Sequence, residues 1–232
     1  MPTRLHKEIE KLKKHLLSLS AAVEDALRLA VLALEARDAG QAQMVIDRDP
    51  DIDRMEVELE EECLKILALH QPVAIDLRFI IAVLKINNDL ERIGDLAVNI
   101  AEHALYFAGR PPLPFPFDFD AMAQKAQEML RESLNALVGM DTELAKRVCV
   151  LDDEIDAMNR RMYRQVEEAM RKRPDEIEAL MHTIGVSRHI ERIADHATNI
   201  AEDIVYMIDG EIIRHRAEQY KPFLDRKSEP DA

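Results

Sequence analysis

Apolar side chains recur every three or four positions from the start of the chain: Leu5, Ile9, Leu12, Leu16, Leu19, Val23, Leu27, Ala30 and Leu34. That is the period of a helix burying one stripe, and it predicts a single long helix from Arg4 to Asp38, ended by Ala39-Gly40. A second helical run starts near Gln41 and continues through "RMEVELEEECLKILALH" to His70. A bend or restart is predicted at Pro50, because proline lacks the N–H that an internal helical position donates. Pro72 opens a third helix that stops at Gly109, and "GRPPLPFPF" follows with four prolines between Pro111 and Pro116. Such a stretch reads as a stiff extended connector. Beyond it, Asp118 or Asp120 is placed to cap a fourth helix reaching about Gly139, and Asp141 a fifth. Pro174-Asp175-Glu176 starts a sixth, and the polar end "KPFLDRKSEPDA" reads as a frayed tail.

The six segments fall into two sets of three. "LERIGDLAVNIAE" begins at Leu90 and "IERIADHATNIAE" at Ile190, in step over thirteen positions and one hundred residues apart. Earlier in each half the offset is 103, so that Asp49, Ile52, Asp53 and Met55 lie over Asp152, Ile155, Asp156 and Met158. Leu27, Leu34, Asp38 and Ala42 likewise lie over Leu130, Leu137, Asp141 and Ala145. The expected architecture is therefore all-α, six helices in two tandem, pseudo-symmetric three-helix bundles. The expected units are a first bundle at 1–109, a connector at 110–117, a second bundle at 118–216 and a tail at 217–232.

The repeated phrase puts acids in an unusual place. On a wheel of 100° per residue, Ile80, Val83, Asn87, Leu90, Val98 and Ala101 cluster around Gly94, Glu91, Asp95 and Glu102 flank that stripe, and Arg92 and Lys85 fall at the back. Two carboxylates at i and i+4 repel when nothing neutralises them. The same spacing recurs as Asp49 with Asp53 and as Asp152 with Asp156, matching Glu91 with Asp95 and Glu191 with Asp195. Each half thus offers two acidic ladders on helices that a three-helix bundle sets side by side. Four converging carboxylates make a hard oxygen cage suited to Mg, Mn, Fe or Ca. The competing reading is a pair of solvated faces balanced by Arg54, Arg92, Arg188 and Arg192.

Composition narrows the remaining choices. The chain has 31 basic and 45 acidic residues, a formal charge of -14, which disfavours nucleic acid as a direct partner because phosphate binding needs a basic surface. Cys63 and Cys149 lack a C-x-x-C spacing and read as buried core thiols. The charged N-terminus has no apolar signal core, and no stretch approaches the length of a membrane span. A cytosolic protein, peripheral at most to a membrane, is expected. There is no E-x-x-H, H-E-x-x-H, glycine-rich phosphate loop or G-x-S-x-G. His182, His189 and His196 could add a nitrogen ligand to the second acidic site, but the first half has no histidine at the matching positions and a surface role is expected; Lys7, Lys11, Lys13 and Lys14 of the first helix could touch anionic lipid, but a solvated face is expected.

"NNDLERIGDLAVNIAE" and "SRHIERIADHATNIAE" closely resemble the paired signature of the PhoU family of phosphate-transport regulators, and "QPVAIDLRFIIAVLKI" resembles that family's approach to the first copy. The likeness extends over nearly the whole chain. It implies a cytoplasmic negative regulator without catalytic turnover, which links a phosphate ABC transporter, through its ATPase subunit, to a phosphate-sensing histidine kinase and holds the starvation response off when phosphate is plentiful. Self-association into a homodimer is allowed by it. It also implies di- or trivalent metal ions on oxygen ligands (Fe, Mg, Mn, Ca or Zn), carried residue by residue onto Glu91, Asp95, Asp49, Asp53, Glu191, Asp195, Asp152 and Asp156. Asn99, Glu102, Asn199 and Glu202 complete the signature without assigned ligand roles. Two alternatives remain open: a carboxylate-bridged metalloenzyme in a helical bundle, and a purely structural helical adaptor.

Overall fold

In the computed structural model, which describes residues 4–111 and 119–213, six long helices run α1 (Arg4–Ala36), α2 (Ala39–His70), α3 (Ala74–Ala108), α4 (Phe119–Gly139), α5 (Thr142–Lys172) and α6 (Ile177–Asp209). A 3₁₀ turn, Pro174–Glu176, leads into α6. Most of the proline-rich connector, the expected cap Asp118 and the expected tail lie outside the described residues.

The apolar stripe of α1 is the buried one: Leu12, Leu19 and Ala30 are fully enclosed. Two of the expected boundaries move. Helix α1 ends at Ala36 because Arg37 turns into the left-handed region (φ 52°), and Asp38 instead caps α2, accepting from the N–H groups of Gly40 and Gln41. Pro50 does not restart the chain, since α2 is continuous across it. Pro50 is exposed, and a proline at an internal helical position removes one backbone hydrogen bond. Asp141 caps α5 as expected, accepting from Leu144 N–H at 3.0 Å.

Helices α3 and α6 form the central pair. Helices α1 and α2 pack on α3, α4 and α5 pack on α6, and α1 also touches α4. A single apolar cluster runs from Ile9 of α1 through both halves to Ile213, so the two bundles share one core. Of the two residues at the back of α3, Lys85 is half-buried against α6, whereas Arg92 is exposed. Both cysteines are buried, and burial pushes each thiol up to about 12. Among the described residues, no helix is long and apolar enough to cross a membrane.

Candidate functional site: paired carboxylate ladders

In the first half, α2 and α3 lie against one another, and α3 can approach closely because Gly94 has no side chain. A methyl built there would stand 3.3 Å from Ile52 Cγ2 and 4.0 Å from Asp49 Oδ1. This registers Asp49 and Asp53 of α2 against Glu91 and Asp95 of α3. Their proximity shows in their protonation. Partial burial, then the charges of Asp53 and Asp95, raise the Asp49 carboxyl above its usual range. Partial burial and Asp95, with lesser contributions from Glu56 and Asp53, do the same to Glu91.

The second half repeats the arrangement between α5 and α6. Asp152 is the extreme member, pushed up to about 7 by burial and by Asp195, Asp156, Asp153 and Glu191. Glu191 is raised by burial, Asp195 and Asp156, and Asp195 by burial and Asp156. The carboxylate ladders of both halves therefore meet in space, each an accumulation of negative charge at a half-buried groove.

Arginines relieve part of this charge. Arg92 Nε lies 3.4 Å from Glu91 and its Nη1 3.3 Å from Asp95, while Arg160 Nη1 lies 3.1 Å from Asp156. Arg54 pairs with Asp51, away from the ladder. As the side chains stand, no three His, Cys, Asp or Glu among the described residues already surround a common point. The donors nevertheless fit a hard cation in kind. They are carboxylate oxygens whose mutual repulsion is only partly relieved, and turning side chains away from Arg92 or Arg160 frees further oxygens.

Several participants were not singled out in the sequence. Glu56, one turn beyond Asp53, joins the first ladder, and Asn87 Nδ2 holds it by donating to its carbonyl at 3.0 Å and its carboxylate at 3.1 Å. The 103-residue offset places Asn159 opposite Glu56, and there Ser187 Oγ donates to Asn159 Oδ1 at 2.7 Å. The second ladder thus carries a neutral amide where the first carries an acid. Aligning the halves would have shown this substitution.

The histidines were misplaced. His182, His189 and His196 are not surface residues but half-buried at the α3–α6 seam, because α6 buries two faces rather than one. His196 Nδ1 lies 2.8 Å from Asp89, which also accepts from Asn199 at 3.4 Å. Of the other signature residues, Asn99 Nδ2 donates to the Asp95 carbonyl at 2.9 Å, Glu102 is exposed, and Glu202 is half-buried. Lys11 and Lys13 of α1 pair with Glu62 and Glu10.

Comparison with known proteins agrees with this architecture. The PhoU domain family model matches twice, at residues 16–104 and 119–204. A phosphate-specific transport system accessory protein PhoU homolog from Aquifex aeolicus is 39% identical over 213 residues, covering 92% of this chain and 96% of that protein. A homolog of the same name from Pseudomonas putida is 37% identical over 209 residues, covering 90% and 82%. The crystal structure of PhoU from Pseudomonas aeruginosa superimposes with a TM-score of 0.86 at 35% identity, covering 90% of this chain and all of that one. The phosphate transport system regulatory protein PhoU from Streptococcus pneumoniae gives 0.82 at 27% identity, covering 90% and 99%. With one domain match in each half and relatives this similar along nearly their full length, the chain belongs to the PhoU family.

Proposed function

We propose that this protein is a regulatory accessory component of a phosphate ABC transport system, acting by binding and not by turnover. In this reading it contacts the transporter's ATPase subunit and a phosphate-sensing histidine kinase from the cytoplasmic side, and restrains uptake and the starvation response when phosphate is abundant. The relatives' names point to transport. The observation in the molecule that carries a binding role is the facing pair of carboxylate ladders, kept in the same columns of both halves: Asp49 and Asp53 with Glu91 and Asp95, Asp152 and Asp156 with Glu191 and Asp195.

Di- or trivalent cations with oxygen preference would settle on these ladders and relieve their repulsion. A bound cation also inverts the sign of the groove, presenting positive charge to phosphate or to acidic side chains of a partner. The test has two arms. Pull-down of the ATPase subunit and the kinase sensor region at high and low phosphate should show phosphate-dependent capture of at least one; capture of neither at both levels defeats the regulatory reading. Elemental analysis of protein purified without chelator, beside a Glu91→Ala/Asp95→Ala variant, should show metal lost from the variant; equal content in both removes the first-half site.

A second reading, a structural adaptor whose acids stay solvated, is favoured by the Arg92 and Arg160 ion pairs. It requires that chelation leave the melting temperature unchanged, whereas bound metal raises it by mass action.

A further inference from the structure

The α3–α6 seam is pseudo-symmetric, and its two ends are built differently. Under the 100-residue offset, Lys85 corresponds to Gly185, Asp203 to His103, Ala82 to His182 and Tyr206 to Tyr106. At one end Lys85 Nζ reaches Asp203 Oδ1 at 2.5 Å and lies 5.6 Å from the Tyr206 ring centre. At the other end the ion pair is absent, and three imidazoles occupy the joint. His103 Nδ1 stands 2.8 Å from His182 Nδ1, and the His103 ring centre is 5.3 Å from that of His189.

We propose that His103 and His182 form a two-imidazole seat for one borderline divalent transition ion of the Zn²⁺, Co²⁺, Ni²⁺ or Cu²⁺ class, joining the two halves of the molecule at a place separate from the carboxylate ladders. Two Nδ1 atoms facing one another at 2.8 Å share one proton, with one ring donating and the other presenting a lone pair. A divalent ion that replaces this proton engages both lone pairs. With metal–nitrogen bonds of about 2.0–2.1 Å, a tetrahedral ion holds its two nitrogens roughly 3.3 Å apart. The present pair therefore needs to open by only about half an ångström to accept one.

The surroundings hold the rings in place. His103 lies over Gly185, where a methyl would come within 2.6 Å of its Nε2. Tyr106 stacks on His182 with ring centres 3.5 Å apart, and Arg110 lies 3.6 Å over Tyr106. Such packing fixes ring direction in the way that outer partners orient metal-bound histidines. Among the described residues, none of the three imidazoles makes an ion pair with a carboxylate; the acid that acts on His182 is Glu178, one turn before it on α6. Burial keeps His103 neutral, its pKa down to about 4, and lowers that of His182; neutral imidazole is the ligating form. Among the described residues no third protein donor is already in place, and water completes the coordination. The Nδ1 of His189 is buried without a hydrogen-bond partner, and water on the ion supplies the donor it lacks. Nitrogen ligands select this class of metal, whereas the carboxylate ladders suit harder ions.

The test uses the full chain, stripped with chelator and supplied with millimolar Mg²⁺ to saturate the carboxylates. Titration with Zn²⁺ is expected to show one ion bound per chain. Affinity should fall at least about tenfold in His103→Gln and in His182→Gln, as expected when a metal site loses a ligand or its support, and stay unchanged in Glu91→Ala/Asp95→Ala. Cu²⁺ added to the wild type should give an electron paramagnetic resonance spectrum with nitrogen splitting from two imidazoles, a readout that needs no variant. Gly185→Ala keeps all three histidines but unseats His103, and should weaken Zn²⁺ as well. Equal Zn²⁺ affinity in wild type, His103→Gln and His182→Gln overturns the proposal, as does a Cu²⁺ spectrum without nitrogen splitting.

Discussion

The two halves carry their acids in the same columns and arrange them on the same pairs of helices, yet they differ in which further groups line each groove and how deeply its acids are held. The first ladder gains a fifth carboxylate, Glu56, held by Asn87, and leaves Gly94 open for α2 to approach. The second replaces that acid by Asn159 and that glycine by Ala194, and buries Asp152 far enough to bring its carboxyl up to about 7. The seam between the halves diverges further, with an ion pair at one end and imidazoles at the other. Duplication preserved the ladders and let the joint drift apart. The ladders are therefore the repeated feature, while the joint is where the two halves differ most in their contacts.

The largest expected effect comes from breaking the ionic end of the joint. Lys85→Ala removes a cation beside Asp203, whose side chain is 5% exposed. Removing the cation from a buried ion pair is destabilising, but Lys85 itself is 37% exposed and Asp203 keeps other interactions, so a loss of roughly 1–3 kcal/mol is expected from urea unfolding. A loss under 1 kcal/mol would mean that the two ends of the joint are not mechanically distinct.

Asp152 sharpens the contrast between ladders. Its folded pKa, about 7, lies above the ordinary 3.8. Its contribution is therefore fully favourable below pH 3.8 and is lost as pH rises through 7. In chelator-stripped protein at pH 8, Asp152→Asn should stabilise by about 1–2 kcal/mol after allowance for solvent screening, and the gain should vanish toward pH 4. Asp49→Asn should gain less. Equal gains would show the two grooves to be equally buried.

His103 works in the opposite sense over an overlapping range. Its pKa is lowered from 6.5 to about 4, so its contribution is complete above pH 6.5 and is lost as pH falls toward 4. His103→Gln in chelator should flatten the acid limb of the stability curve by about 1 kcal/mol, measured as melting temperature between pH 7 and pH 4. An unchanged limb would place His103 in a wetter setting than the seam provides.

The smallest effect is expected at Gly94→Ala. The added methyl must displace Ile52 by a few tenths of an ångström, and Ala194 occupies the same position beside Ile155 in the second half, where both are fully buried. A cost below about 1 kcal/mol is expected from thermal unfolding. A larger cost would show that the first groove depends on closer helix approach than the second.

Much of this was legible along the chain, because helical periodicity and punctuation are local properties. The three-to-four spacing from Leu5 to Leu34, the cap at Asp141 and the Gly109 stop each depend on neighbours within a turn or two. The repeat then made the acidic columns visible, since Glu91 with Asp95 and Glu191 with Asp195 stand out only when the halves are laid over each other. Pro50 misled because a restart is not the only outcome of proline: the helix continues across it at the loss of one backbone hydrogen bond.

What the sequence by itself determined is the set of helices, their duplication and the angular position of each acid. What only the tertiary structure decided is which face meets which. A periodic pattern says that a stripe will be buried but not against what, and a central helix buries a second stripe that a single apolar period does not reveal. Lys85 with Asp203, Asp89 with His196, and His103 with His182 meet across 118, 107 and 79 residues of chain. Their residue types look like ordinary surface polarity until α3 and α6 are packed together, and the packing of one shared core gives those contacts their chemistry.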